Sequence, residues 1–305
     1  MTYKDCIIIG GGIAGLQAAI QLGRYNHDIL VIDSNHGRST ICKGYHNILG
    51  WPDGVSGDEL RKLGRQHAEK YGVEFSLDKV IHLAKSDGGF KLATEQNKEY
   101  TAKTVFLATG LVDHLPNIEN LYPCLGKNIY VCPDCDGYEI TGHKTAVLGG
   151  GKTGVNISLI LTYWSKDITF INHTKAKLED QQLAALRKHD IQVIDQPIEK
   201  VLLNENEELT GFLLQNGETV EATRGFTGFS GNKINTELAE QVGIELNDTN
   251  HVIVNPRTKE TNVEGIWSGG DMIAHSEQVT ISMGDGSQAA IWIHKRLLGE
   301  QPPKH

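Results

Sequence analysis

The sequence contains no uninterrupted run of 18 apolar residues, so no helix is expected to cross a membrane. Its opening residues, Met1-Thr2-Tyr3-Lys4-Asp5, lead almost directly into a strand pattern, which argues against a cleaved signal peptide. Basic residues are in deficit: 29 Lys and Arg stand against 38 Asp and Glu, a formal net charge of −9. Neither nucleic acid nor an anionic membrane is recommended as a partner by that balance. Cysteine is scarce. Cys6, Cys42, Cys124, Cys132 and Cys135 are the only five in 305 residues, an odd count that does not read as a secreted disulfide framework. The expected compartment is the cytoplasm, where a close cysteine pair serves catalysis more often than structure. Low-complexity segments and short-period repeats are absent too. What is present suffices for packed cores: 39% of residues are hydrophobic and 22% charged, in a chain long enough for two domains. Glycine is the excess, with 34 residues, and it signals tight turns and close backbone approaches to something bound.

Two stretches use those glycines alike. Cys6-Ile-Ile-Ile9 is a short buried strand that runs into Gly10-Gly-Gly12-Ile-Ala-Gly15, and a helical pattern follows to about Arg24. Ile29 to Ile32 is a second strand, ending in Asp33. This is a strand–turn–helix–strand unit with Gly10, Gly12 and Gly15 at dinucleotide-fingerprint spacing. The first glycine allows the turn, the second lets backbone approach a pyrophosphate, and the third permits close helix–strand packing. The helix N-terminus offers free N–H groups to phosphate oxygens, and Asp33 can accept from a ribose hydroxyl. The pattern recurs at Thr145-Ala-Val-Leu148, Gly149-Gly-Gly151-Lys-Thr-Gly154, a helix from about Thr153 to Tyr163, and a strand from Ile168 to Ile171. Because the flanking strands and helix repeat with the glycines, the fold expected is α/β with two Rossmann-like dinucleotide-binding domains. Ser56-Gly-Asp-Glu59 reads as a capping box opening a helix to Tyr71. A helix of roughly Gln278 to Leu298 is also expected, interrupted in its first turns by Gly284 and Gly286.

Between the fingerprints lies Cys132-Pro-Asp-Cys135-Asp136. A zinc site would need two further ligands at similar spacing, and Cys6 and Cys124 stand in strand and loop contexts without such a pair. No metal is therefore assigned. The alternative is a redox pair, two thiols close enough for a short disulfide. Asp136, directly after the second thiol, is placed to give or take the proton that thiol–disulfide exchange requires; the bland reading of Asp136 is a surface acid at a turn. Cys6, on a core strand, is read as packing, and Cys42 as a small buried or idle thiol.

The order of these motifs resembles the low-molecular-weight thioredoxin reductases among FAD-dependent pyridine nucleotide–disulfide oxidoreductases. The features that carry it are the first fingerprint, Ala108-Thr109-Gly110, the Cys pair with Asp136-Gly137, the second fingerprint, and Gly270-Asp271 before a helix. The resemblance implies a discontinuous FAD domain, roughly 1–114 and 240–305, with a nicotinamide-nucleotide domain, 115–239, inserted into it and carrying the Cys pair. It places Gly10, Gly12, Gly15, Asp33, Thr109 and Gly110 at FAD, with Asp271 on the ribityl–pyrophosphate region and Gln278 and Val279 at a helix N-terminus facing the flavin. A helix N-terminus stabilises negative charge on a reduced flavin. Gly149, Gly151 and Gly154 fall to NADPH or NADH. Cys135 becomes the thiol beside the flavin, Cys132 the one that attacks a substrate disulfide, and Asp136 the acid–base group. A homodimer acting on a small-molecule disulfide or dithiol, or on a thioredoxin-like protein, is implied as well.

Two departures qualify the resemblance. NADPH-dependent reductases carry an arginine cluster after the strand that follows the second fingerprint, and here that place reads Ile171-Asn172-His173-Thr174-Lys175, with no Arg until Arg187. Lys175 and Lys177 supply point charges without the bidentate fork of arginine, so no strong NADPH preference is expected. Around the Cys pair, Asp113-His-Leu-Pro116, Gly126 to Tyr130 and His46-Asn-Ile-Leu-Gly50 are similar to a second branch, the dithiol oxidases. That branch usually has His after the second Cys, where this chain has Asp136. The resemblance sets His46 beside the flavin, against a bland reading as a polar loop residue. Three functions follow: a disulfide reductase, a dithiol oxidase passing electrons to oxygen, and a non-catalytic flavin or nucleotide redox sensor.

Overall fold

From Cys6 onward the strand Tyr3–Ile9 is apolar on both faces, and both are buried. Ile7 and Ile9 enter one core with Leu30, Ile32, Val105 and Leu107, while Cys6 and Ile8 enter another with Ile29, Val31 and Phe106. A period of two with no polar face is what a parallel sheet covered on both sides demands. The computed structural model describes residues 3–300, and these divide into two compact units.

The first unit takes the chain up to Thr40, then Asp58–Val112, and resumes at Lys233. Its sheet runs, in spatial order, Glu74–Leu77, Ile29–Asp33, Tyr3–Ile9, Glu99–Leu107, Gly89–Thr94 and Val80–Ser86, and Ile266–Ser268 also pairs with Glu99–Leu107. The fingerprint strand and its neighbours are parallel, as crossover through the helix Ile13–Arg24 requires. The helix Val279–Leu297 is continuous through Gly284 and Gly286, where an interruption was expected. Gly286 serves contact instead. A Cβ there would collide with the Ala14 carbonyl oxygen, so its absence lets this helix lie against Ile13–Arg24.

The second unit comprises Ile41–Gly57 and Asp113–Asn232. Its five-stranded parallel sheet is ordered Gln192–Ile194, Ile168–Asn172, Thr145–Gly149, Arg224–Gly228 and Ile129–Tyr130, and a separate antiparallel sheet joins Ile198–Leu203, Leu209–Leu214 and Thr219–Glu221. Strand alternation recurs: Ala146, Leu148 and Ile171 face one core, Val147 and Phe170 the other. The fingerprint helix spans Gly151–Leu161 and so starts inside the glycine turn, two residues before the expected Thr153. The helix after Ser56 spans Gly57–Glu69.

The unit boundaries lie at Val112/Asp113 and Asn232/Lys233, and Ile41–Gly57 groups with the second unit. The sequence reading kept that segment in the first domain. Within that unit the segment is bonded through its backbone: the Lys43 N–H donates to the Leu125 carbonyl at 2.9 Å. No helix among the described residues is long and apolar enough to cross a membrane.

Candidate active site

Cys132 is extended (φ −125°, ψ 108°), and Pro133 then occupies the first position of a single helical turn, Pro133–Asp136. Proline fits there because its missing N–H would have had no helical partner. The Cys135 and Asp136 N–H groups donate back to the Cys132 carbonyl at 3.1 and 3.0 Å. This turn brings the two Cα atoms to 5.3 Å, and the sulfurs are joined as a disulfide. Asp136 is buried, only 8% exposed. Burial, with the like charge of Glu139 added, pushes its carboxyl up to about 7. A carboxyl held near neutrality can either give or take a proton at working pH.

His46 belongs to the same unit and faces that turn, with Nδ1 3.9 Å from Glu139 Oε1. Cys42 is half-buried, its thiol donating to the Gly44 carbonyl at 3.3 Å. Burial, with the nearby Asp136 charge contributing, pushes this thiol up to about 11, so it stays protonated. Cys6, fully buried, is pushed up to about 12 by burial. Neither behaves as a thiolate nucleophile.

In the first unit the fingerprint residues fit a dinucleotide. Gly10 sits at φ +107°, a conformation that L side chains avoid. A Cβ on Gly15 would strike the Gly10 carbonyl oxygen, whereas one on Gly12 would meet nothing within 4 Å. Gly12 thus caps the helix Ile13–Arg24 without a side-chain hydrogen bond and with open space above it, as a pyrophosphate needs. Asp33 ends its strand 2.9 Å (at Cγ) from where a Gly11 Cβ would lie. Thr109 and Gly110 lie just beyond the strand Glu99–Leu107, but the Thr109 hydroxyl is committed, donating to the Asn235 carbonyl at 2.8 Å. Asp271 lies in the short turn Gly270–Met272. Gln278 caps the helix that begins at Val279, with the Ser282 N–H donating to its carbonyl at 2.9 Å.

Sequence reasoning missed the cations. Arg61 donates to Asp33 at 2.7 Å, and Arg38 to Asp271 at 3.3 Å and Glu277 at 2.6 Å. Beneath the Asp271 turn, Asp285 accepts from His275 Nε2 at 2.6 Å, the Gly270 N–H at 3.0 Å and Lys259 at 2.9 Å. Burial alone would raise the Asp285 carboxyl, and these donors outweigh it and hold it low. The hydrogen bond to Asp285 raises His275.

The second fingerprint keeps the packing logic. A Cβ on Gly149 would crowd the Gly228 carbonyl and one on Gly154 the Phe170 ring, and the helix Gly151–Leu161 has no side-chain cap. The residues around it differ. A Cβ on Gly150 would collide with the Thr174 hydroxyl, and Ala176 lies 3.5 Å from where a Gly151 Cβ would be. His173, offered by sequence as a place for a phosphate-reading arginine, is turned inward. Its Nδ1 accepts from the Ile198 N–H at 2.9 Å, its ring meets Phe229 edge-on, and burial lowers its pKa.

Comparison with known proteins agrees with this architecture. The family model for pyridine nucleotide-disulphide oxidoreductases matches residues 4–286. A thioredoxin reductase of Rickettsia bellii (strain RML369-C) is 31% identical, over 95% of this chain and 97% of its own. One from Bacillus subtilis (strain 168) is 29% identical, over 94% and 92%. The crystal structure of TrxB from Bacillus anthracis superposes with a TM-score of 0.83 at 26% identity, covering 97% of this chain and 99% of that one. A match that runs through both fingerprints and the disulfide turn between them settles the family: the chain belongs to the pyridine nucleotide–disulphide oxidoreductases, is a flavin-dependent disulfide oxidoreductase, and resembles their thioredoxin reductases.

Proposed function

We propose that the protein passes electrons between a nicotinamide nucleotide and a disulfide substrate, through FAD in the first unit and the Cys132–Cys135 pair in the second. The observation that carries this reading is the disulfide turn with Asp136 buried directly beside it and held near neutrality. Bound FAD supplies two-electron exchange with both a nicotinamide and a dithiol. Gly12 would hold its pyrophosphate, with Gly10 and Gly15 shaping the turn around it, Asp33 its ribose and Asp271 its ribityl side, and Gln278 and Val279 would lie at the helix N-terminus next to the flavin. The turn shaped by Gly149, Gly151 and Gly154 would hold the nicotinamide nucleotide.

The substrate half-reaction is thiol–disulfide exchange. With the pair reduced, the Cys132 thiolate attacks one sulfur of the substrate disulfide. That S–S bond breaks, a Cys132–substrate bond forms, and the departing thiolate takes the Asp136 proton. Asp136 then accepts the Cys135 thiol proton, and the Cys135 thiolate attacks Cys132 Sγ. The second substrate sulfur leaves and takes that proton from Asp136. Two thiols are released, the intrachain disulfide is restored, and two electrons have passed to the substrate. The substrate class is a small disulfide or the disulfide of a thioredoxin-like protein.

Cys135→Ser tests the assignment of roles. It should accumulate a Cys132–substrate mixed disulfide, visible by intact mass, because nothing remains to resolve it. Cys132→Ser should trap none. If both variants trap equally, the two thiols have been assigned wrongly. Anaerobic reduction of the wild-type flavin by NADH, NADPH and a dithiol in parallel then reports the donor; failure of all three would sink the electron path.

A further inference from the structure

The turn that carries the cysteine pair does not end at Asp136. It runs straight into a 3-10 turn, Gly137–Ile140, with Asp136 as its N-cap residue. In that geometry side chains three positions apart lie on one face, so Glu139 comes back toward Asp136. The Asp136 carboxyl is buried, and among the described residues no group donates a hydrogen bond to it. Its immediate polar company is therefore charge, with Glu139 the like charge in its own turn.

Glu139 has a partner from another segment. His46 Nδ1 lies 3.9 Å from Glu139 Oε1, the two side chains 34% and 26% exposed. The imidazole is not loosely placed. A Cβ on Gly44 would come within 2.9 Å of His46 Cε1, and one on Gly54 within 2.7 Å of Cδ2. The ring fits because both neighbours are glycine. Tyr45 and Val55 exchange backbone hydrogen bonds at 2.8 and 3.0 Å, which pins the loop on either side of it. Sequence reading set His46 beside the flavin; within its own unit the group it faces is Glu139.

We infer that Glu139 and His46 are positioning residues for Asp136: Glu139 sets a like charge in the turn beside the buried Asp136 carboxyl, and His46 sits against the Glu139 carboxylate. The inference rests on the reading of Asp136 as the acid–base group of thiol–disulfide exchange. The other groups about the cluster do not replace this role. Cys42 and Tyr130 sense the Asp136 charge, and burial pushes them up to about 11 and about 12, so both are neutral. Arg224 donates through Nε to the Glu139 backbone carbonyl at 3.2 Å, not to its carboxylate. His143 feels both Arg224 and Glu139, and Asp134 lies in the cysteine turn on the solvent side.

The logic is that of paired carboxyls. Two like charges in one turn resist ionising together, so the buried one keeps its proton to higher pH. His46, when protonated, sets a positive charge beside the outer carboxylate and weakens that repulsion. Removing Glu139 should therefore lower the pH at which Asp136 ionises, and removing His46 should raise it. The exposure of His46 and Glu139 makes the second effect the smaller.

The test uses the FAD-loaded full chain. Aspartate labelled with carbon-13 at the carboxyl reports Asp136 by NMR titration of the disulfide form. The pH dependence of intrachain disulfide reduction by a dithiol, without nucleotide, reports its consequence. Wild type should show a limb near pH 7, where burial and Glu139 place Asp136, and D136N should lose it. E139Q should move both titration and limb toward acid by about half a unit, the size of one like charge at water-like screening. E139D should restore the wild-type position, and H46Q should shift the limb toward alkaline pH. An E139Q limb that stays in place, or an H46Q limb that stays in place or moves with E139Q, overturns the positioning pair while leaving Asp136 its role. A limb that survives in D136N overturns the reading of Asp136 itself, and the pair falls with it.

Discussion

The two glycine fingerprints fold the same way and present different groups. In the first, Asp33 stands one step beyond the Ile9–Ile32 ladder pair, its carboxyl close to where a Gly11 side chain would lie. In the second, the ladder ends at Gly149–Asn172, so Asn172 holds the place of Asp33. Its side chain points elsewhere: the amide donates to the Ala176 carbonyl and to Asp195, both at 2.8 Å. The group set against Gly150 is instead the neutral hydroxyl of Thr174. The glycines encode a turn and close backbone packing, which both units need. The units diverge in the group set against the turn, a carboxylate in the first and a neutral hydroxyl in the second.

The largest effect should come from filling the two cradles separately. Gly12 has extended backbone (φ −76°, ψ −169°) and empty space in front of it, so Gly12→Val should fold and yet block the pyrophosphate. Flavin absorbance should be lost from the purified protein. Gly151→Val should leave the protein yellow and reducible by a dithiol while abolishing reduction by NADH and NADPH. Gly151 has φ +53°, so this second variant should also destabilise its unit. A yellow Gly12→Val protein would break the assignment of the first fingerprint to FAD.

A smaller effect belongs to the charge cluster beneath the Asp271 turn. Asp285→Asn leaves the Lys259 cation, 17% exposed, without its carboxylate. Stripping one partner from such a buried pair costs about 3 kcal/mol, which should appear as an earlier chemical-denaturation midpoint and weaker flavin retention. The folded-state pKa of Asp285 is depressed. Its contribution is thus present above the ordinary carboxylate value, 3.8, and lost as pH falls through the depressed one. Wild type and variant should converge in strong acid. A gap that persists there would assign the loss to packing.

Much of this was legible in the sequence because its causes are local. Glycine spacing marks the turns, the uninterrupted Cys6–Ile9 run marks a strand covered on both faces, and two cysteines three apart with no further ligand pair are close enough for a short disulfide. What was not legible depends on residues distant in sequence. Arg61 reaches Asp33 from 28 residues away and Arg38 reaches Asp271 from 233, and a surface helix gives no sign of which arginine turns inward. Ile41–Gly57 groups with the second unit through tertiary contacts, the backbone bond at Lys43 among them. Gly286 was read as a helix breaker from its propensity, while its role is to admit another helix's backbone. Glu139 has meaning only through Asp136 and His46.

The finest test concerns Thr174. An arginine gripping a 2′-phosphate contributes a charge-assisted hydrogen bond of about 1.5–3 kcal/mol, roughly tenfold or more in affinity. NADH has no phosphate at that place and should gain nothing. Wild type, with Thr174 neutral there, should therefore use NADPH and NADH with kcat/KM values far closer than a hundredfold, the factor two such bonds would give. Thr174→Arg should raise kcat/KM for NADPH by about tenfold and leave that for NADH nearly unchanged. His173→Arg should behave differently. The imidazole accepts the Ile198 N–H and packs against Phe229, so its loss should lower stability and activity with both nucleotides. If His173→Arg raises NADPH use while Thr174→Arg does not, the phosphate is read from the inward side of the strand end, and the contrast between Asp33 and Thr174 fails.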